Sequence, residues 1–170
     1  MTPVDLLRRL VAIDSVNPDL VPGGAGESAI AGACAAILAA EGFEIHRLEA
    51  TPGRPSIVAI ARGSGGGRSL MFNGHVDTVT LAGYDGDPLD PRIEGDKVFG
   101  RGAFDMKSGV AAMMVAAIRA KRAGLRGDLL VACVADEEYA SIGTAEVARH
   151  FRADAAVITE PSHHELTIAH

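Results

Sequence analysis

Apolar residues recur along the chain at two spacings, one typical of helices and one typical of strands. Helical spacing predicts helices over residues 2–13, 27–41, 106–123 and 141–151. Short apolar runs predict strands over 43–48, 56–61, 69–72, 128–134 and 155–158, a hairpin over 93–98, and the start of another strand at 166–169. The runs at 128–134 and 155–158 are interpreted as buried strands. Because strands alternate with helices, we predict an α/β fold with layered helices around a mostly parallel or mixed sheet.

Composition and charge narrow the class of protein. A chain of 170 residues fits one domain, and an apolar content of 48% is enough for a real core. The net charge of −6 and the lack of a Lys/Arg-rich run argue against nucleic-acid binding. The N-terminus does not resemble a signal peptide, and no apolar stretch is long enough to span a membrane. Cys34 and Cys133 are interpreted as buried hydrophobes in a reducing compartment, with a disulfide as the less favoured alternative, so we expect a cytoplasmic protein.

Four short polar blocks each follow or end an apolar stretch. They are residues 73–79 (NGHVDTV), 100–109 (GRGAFDMKSG), 136–138 (DEE) and 159–161 (TEP). An α/β sheet delivers catalytic groups at the ends of its strands. The candidate side chains are His75, Asp105, Glu137, Glu138 and Glu160. One imidazole with several carboxylates is the ligand set of a hydrolytic zinc or two-metal site.

The first two blocks each have a second interpretation. Residues i and i+2 of an extended segment point the same way, so Asp77 can orient His75 as a metal ligand. Both residues also suit an ordinary turn at the end of a strand. Asp105 directly precedes a predicted helix, where it can cap the helix, bridge two cations, or do both.

The last two blocks are ambiguous in the same way. Glu137 and Glu138 repel each other unless water, a cation or a proton separates them. They can form a solvated turn, or one can ligate metal while the other accepts a proton from metal-bound water. Glu160 ends an apolar strand, and its alternative role is that of an exposed loop acid.

In their order and amino-acid sequence the four blocks resemble the motifs of the M20 metallopeptidases. The resemblance is carried by residues 74–79, 100–109, 136–138 and 159–161, and it spans nearly the whole chain. This family includes acetylornithine deacetylases, succinyl-diaminopimelate desuccinylases, aminoacylases and glutamate carboxypeptidases. The resemblance implies a zinc-exopeptidase-like fold and the hydrolysis of an amide bond in an N-acyl amino acid or small peptide.

The resemblance also implies a role for each matching residue. The implied roles are metal ligation by His75, Asp105, Glu138 and Glu160, orientation of His75 by Asp77, and general base and acid catalysis by Glu137. His75 and Glu160 would hold the first metal and Glu138 the second, while Asp105 would bridge the two. The complete site would hold two Zn²⁺ ions, with Co²⁺ or Mn²⁺ as alternatives, and metal-bound hydroxide would attack the amide carbonyl.

The chain departs from the family in length. Members are longer, carry an inserted domain that is often a dimerisation surface, and supply a late histidine to the second metal. We therefore expect residues 1–170 to be the N-terminal portion of the catalytic domain, with impaired turnover, and the full-length form to be a candidate homodimer. The remaining histidines, His46, His150, His163 and His164, are interpreted as surface residues rather than substitute ligands. The alternative function is a non-catalytic metal-binding or interaction protein derived from this fold.

Overall fold

The chain folds as an α/β protein in a computed structural model that describes residues 1–162. Its helices are α1 (Pro3–Val11), α2 (Ser28–Ala40), α3 (Ser108–Ala123) and α4 (Ile142–His150). Its strands are β1 (Glu44–Leu48), β2 (Ser56–Ala61), β3 (Leu70–His75), β4 (Ile93–Glu94), β5 (Lys97–Val98), β6 (Leu129–Val134) and β7 (Ala155–Ile158). The predicted fold class is confirmed, and within the described range each predicted helix and strand is present.

Five strands form one mixed sheet in the order β1-β2-β6-β3-β7, and β4 with β5 forms the predicted hairpin. Strands β6, β3 and β7 are mutually parallel, whereas β2 runs antiparallel to both β1 and β6. The central strand β6 is buried along its whole length, which fits its unbroken apolar sequence. The three parallel strands therefore point their carboxyl ends toward one edge of the sheet.

Helices cover both faces of this sheet. The larger core packs α1, α2 and α3 against alternate residues of the strands, such as Ile57 and Val131. The residues between them, such as Val58 and Ala132, point to the other face and pack with Val147 of α4. Of the residues described, none lies in a helix with the length and apolar character needed to cross a bilayer.

The predicted helix over 106–123 begins later than expected, at Ser108. Asp105 (φ −113°, ψ 107°) and Met106 (φ −125°, ψ 32°) are not helical and belong to an irregular turn over Ala103–Lys107. The peptide bond between them is cis. The strand predicted over 69–72 extends to His75, so this histidine is the last residue of β3 rather than part of a following loop.

Strand β7 is correctly predicted as a strand but wrongly predicted as buried. All four of its residues are exposed, with Val157 at 45% and Ile158 at 63%, because β7 lies at the edge of the sheet. An apolar run of this length has the same composition in a central or an edge strand. The strand predicted at 166–169, together with His163 and His164, lies outside the described residues.

The burial of the two cysteines matches the prediction, and that of His46 and His150 matches it in part. Cys34 and Cys133 are buried free thiols, as expected. His150 is exposed. His46 is only partly exposed, since its ring packs edge-on against Phe151 with 5.3 Å between centroids.

Candidate metal centre

The parallel strands bring three of the polar blocks to one place. In the sheet, His75 at the end of β3 pairs with Val134 at the end of β6, and Ile158 at the end of β7 pairs with Asn73. The Glu137–Glu138 pair follows β6 by a short turn, and Glu160 follows β7 by two residues. The carboxyl ends of parallel strands thus place one histidine among three glutamates from distant parts of the chain.

The imidazole of His75 lies at the centre of the candidate side chains. It is 1% exposed, and its Nε2 atom lies 3.1 Å from Asp105 Oδ1, 3.6 Å from Glu160 Oε1 and 3.7 Å from Glu137 Oε2. The donor atoms form two sets, and within each set all atoms lie within 4.8 Å of one another. One set is His75 with Glu137 and Glu160, and the other is His75 with Asp105 and Glu138. The structure therefore brings together all five candidate residues.

Asp77 supports this arrangement from behind. His75 Nδ1 lies 3.0 Å from the backbone carbonyl oxygen of Asp77 and 3.4 Å from its carboxylate, so the carbonyl is the closer partner. The buried carboxylate instead accepts the backbone N–H groups of Glu137 at 3.1 Å and Glu138 at 3.2 Å. We call residues 136–138 the acidic turn. Asp77 thus contacts both the histidine and the acidic turn, whereas the sequence predicted a contact with His75 alone.

Asp105 does not cap helix α3, which has no side-chain cap hydrogen bond at its first turn. Its carboxylate points to His75 from the irregular turn, and Gly102 permits that turn through a left-handed φ of 74°. Gly109 packs so closely that an added Cβ would lie 2.2 Å from the carbonyl oxygen of Thr159. The Asp105 turn and the segment that carries Glu160 are thereby held side by side.

Electrostatics at the site favour a cation. Burial raises the pKa of Glu160 to about 7, assisted by the carboxylates around it and opposed by His75. Burial likewise raises the pKa of Glu138. Carboxylates whose negative charge is disfavoured in this way are stabilised by a bound cation, and oxygen and imidazole donors suit a divalent metal. The residues present therefore fit the metal that the sequence predicts.

The pKa values of His75 and Asp77 are also shifted by their surroundings. Burial acts to lower the pKa of His75, but the hydrogen bond and charge of Asp77, with the nearby Glu160 and Asp105, raise it to about 9. Burial acts to raise the pKa of Asp77, yet His75 and the surrounding donors hold it below its ordinary value. Asp77 is accordingly a buried carboxylate that favours a positive charge on the imidazole or on whatever the imidazole binds.

Sequence reasoning gave no role to three buried polar residues behind the acidic turn, Asn17, Arg54 and Asp136. Asn17 donates from Nδ2 to the carboxylate of Asp77 at 2.8 Å and to that of Asp136 at 2.9 Å. Arg54 donates to Asp136 at 3.0 Å. Asp136 was visible as the first residue of the third block, but Asn17 and Arg54 lie in loops without a local signature of burial.

A cleft of about 420 Å³ opens at the site, and its lining includes His75, Asp105, Glu137 and Glu160 together with Val134, Thr144 and Ile158. The lining therefore joins the candidate metal donors to a partly apolar wall. Its size suits a small molecule.

The fold and the donor set define a candidate metal centre at the carboxyl edge of an α/β sheet. The family model described as Peptidase family M20/M25/M40 matches residues 71–170, which include all of the metal-ligand candidates. The chain therefore belongs to this family, and the resemblance drawn from the sequence is confirmed.

Individual relatives agree with this assignment. The chain is 38% identical over 173 residues to a succinyl-diaminopimelate desuccinylase from Leptothrix cholodnii, covering 94% of this chain and 44% of the relative. It is 35% identical over 129 residues to an N-formyl-4-amino-5-aminomethyl-2-methylpyrimidine deformylase from Bacillus subtilis, covering 71% of this chain and 30% of the relative. The chain thus spans less than half the length of both proteins.

A solved structure agrees on the fold. The M20 family metallo-carboxypeptidase Sso-CP2 from Sulfolobus solfataricus matches with a TM-score of 0.76 at 20% identity, covering 92% of this chain and 37% of that chain. At this identity the match shows the shared fold alone.

Proposed function

We propose that the chain is part of a metal-dependent hydrolase that cleaves an amide bond in an N-acyl amino acid or a small peptide. The observation that carries the proposal is the convergence of four carboxylates and one imidazole at the carboxyl edge of the sheet. The desuccinylase and deformylase relatives act, by their names, on N-acyl groups, which supports an amide substrate.

In this proposal His75 and Glu160 would hold a first metal, Glu138 would hold a second, and Asp105 would contribute to both. Zinc is the expected metal, with Co²⁺ or Mn²⁺ as alternatives, because one histidine with several carboxylates admits all three. The divalent cations supply a Lewis acid and lower the pKa of water so that it becomes a nucleophile near neutral pH.

Glu137 is the proposed general base and acid. Its side chain is 43% exposed and its Oε2 atom faces the cleft 3.7 Å from His75 Nε2, so it can take a proton from water and return it to the leaving amine. The donor sets also group Glu137 with His75 and Glu160, so a ligand role for Glu137 is the competing assignment.

Zinc titration with a competing chromophoric chelator tests the site. We expect a tighter and a weaker site, because three of the proposed ligands serve the first metal and two the second. Asp105→Asn should weaken both. The exposed Glu94→Gln, on the β4–β5 hairpin, serves as a control that should change neither. An unaltered zinc affinity in Asp105→Asn would contradict the proposed ligand set.

Glu137→Gln separates the two assignments of Glu137, general base or metal ligand. If Glu137 is the base, the variant keeps its zinc affinity and loses hydrolysis of an N-succinyl or N-formyl amino acid by about 100-fold or more, the scale of general acid–base catalysis. A loss of zinc affinity would make it a ligand. Hydrolysis that is measurable in the wild type and unchanged in Glu137→Gln would contradict the assignment of Glu137 as the base.

A further inference from the structure

A buried polar network centred on Arg54 lies behind the metal-site carboxylates. The guanidinium is 6% exposed, and it donates from Nε and Nη2 to the two carboxylate oxygens of the fully buried Glu27, each at 2.7 Å. Nη2 also donates to Asn17 Oδ1 and to Asp136 Oδ1, each at 3.0 Å. We call Asn17, Glu27, Arg54 and Asp136 the Arg54 network. Its planar donors hold three separate loops together.

Asn17 connects this network to the metal site. Its Nδ2 group donates to both Asp77 and Asp136, while its Oδ1 atom accepts from Arg54. This arrangement fixes the orientation of the amide, since its nitrogen faces two carboxylates and its oxygen faces a guanidinium. A single side chain therefore couples the position of Arg54 to that of Asp77, whose carboxylate binds the backbone of the acidic turn.

Asp136 makes the second connection. It adopts a left-handed φ of 64°, a conformation that a residue with a Cβ rarely takes without local support. Its side chain is 1% exposed and receives hydrogen bonds from Asn17 and Arg54. Because Asp136 directly precedes Glu137 and Glu138, its backbone conformation sets the direction in which both glutamates leave the strand.

We propose that Arg54 is a positioning residue for the metal site. Acting through Asn17 and Asp136, it fixes the turn over residues 136–138 and thereby aims Glu137 and Glu138 at the space beside His75 Nε2. This inference rests on the proposed function, since the glutamates have a target only if the site binds metal.

Two variants of the 170-residue chain and one control test the proposal. Arg54→Lys keeps a positive charge beside Glu27 and Asp136 but replaces the planar guanidinium, which binds Glu27, Asn17, Asp136 and, through Nη1, Asp19. Asn17→Ala leaves the Arg54–Glu27 pair intact and removes the bridge to Asp77. Arg62→Lys is the matched control, because Arg62 also binds two carboxylates, yet it is 59% exposed and lies outside the network.

Two measurements are made on each variant that is folded at the working temperature. The first is zinc affinity by chelator competition, accompanied by the visible absorption spectrum of the Co²⁺-loaded chain. The second is amide hydrogen exchange at Glu137 and Glu138 in metal-free protein. We expect Arg54→Lys and Asn17→Ala each to weaken zinc binding by about tenfold, to alter the Co²⁺ spectrum, and to speed exchange at both amides. Arg62→Lys should match the wild type.

The outcomes distinguish a failure of the Arg54 proposal from a failure of the proposed metal site. If both network variants melt at a lower temperature but keep wild-type zinc affinity, Co²⁺ spectrum and amide exchange, the network is merely structural and the inference is wrong. If the wild-type chain itself takes up no zinc, the proposed function is wrong and a metal-directed role for Arg54 is wrong with it. Weakened zinc binding in the network variants alone supports both.

Discussion

Replacing Asp77 by asparagine should disturb the turn over residues 136–138. The carboxylate uses both oxygens as acceptors. One oxygen serves the Glu137 N–H and faces His75 Nδ1, and the other serves the Glu138 N–H and Asn17 Nδ2. An asparagine amide must put an NH₂ group at one of these two positions. In one orientation the Glu138 N–H and Asn17 Nδ2 lose their acceptor. In the other only the Glu137 N–H does, because His75 Nδ1 keeps the Asp77 carbonyl oxygen at 3.0 Å.

The expected magnitude follows from that count. A buried donor left without an acceptor costs about 1–3 kcal/mol, and the less costly orientation of the amide leaves one such donor. The Glu137 and Glu138 amides are only partly buried, and water can replace part of the loss. We therefore expect Asp77→Asn to lower the free energy of unfolding by about 1–3 kcal/mol, a substantial fraction of a domain's stability.

Urea unfolding of the metal-free chain at pH 7 measures this change. Asp128→Asn is the control, since Asp128 also accepts from a backbone N–H and an arginine but is 35% exposed. Its effect should stay below about 1 kcal/mol. A loss in Asp77→Asn no larger than in Asp128→Asn, with unchanged hydrogen exchange at Glu137 and Glu138, would refute the reasoning.

Two further perturbations probe the packing around the site. Burial lowers the pKa of Lys107 to about 8, so the unfolded chain binds more protons between pH 8 and 10.5 and stability should rise across that window by about 3 kcal/mol. In Lys107→Met, which loses only the hydrogen bond to the Ile13 carbonyl, urea titrations should show that this rise has gone. Gly109→Ala should weaken zinc binding and lower the melting temperature, because its Cβ would collide with the Thr159 carbonyl. Gly32→Ala, on an open helix face, should instead raise the melting temperature slightly, and equal effects of the two substitutions would contradict the packing argument.

The alternation of helices and strands was predictable because burial forces apolar residues into periodic positions. The same logic placed His75 and Glu160 at strand ends, where polar residues interrupt apolar runs. The irregular turn before α3 was not predictable in this way. Its residues have ordinary helical propensity, and their partners are distant in sequence: Asp105 faces His75 Nε2, and Met106 Sδ accepts the His75 backbone N–H.

The Arg54 network and the exposure of β7 escaped prediction for related reasons. Arg54 meets Asp136 across 82 positions and Asn17 meets Asp77 across 60, and no local pattern encodes such long-range pairs. An arginine in a loop is usually solvated, so its burial follows only from where the loops meet. The location of β7 at the sheet edge depends equally on topology rather than composition.

The exposed position of β7 gives the metal site a mechanical consequence. Among the residues that the structure describes, strand β7 pairs with β3 alone, and it carries Glu160 just beyond its end. A cation bound by both His75 and Glu160 would cross-link β3 and β7. Loss of metal should then speed amide hydrogen exchange in β7 before it does so in the central strands. The protection of the β7 amides from exchange would therefore report metal occupancy.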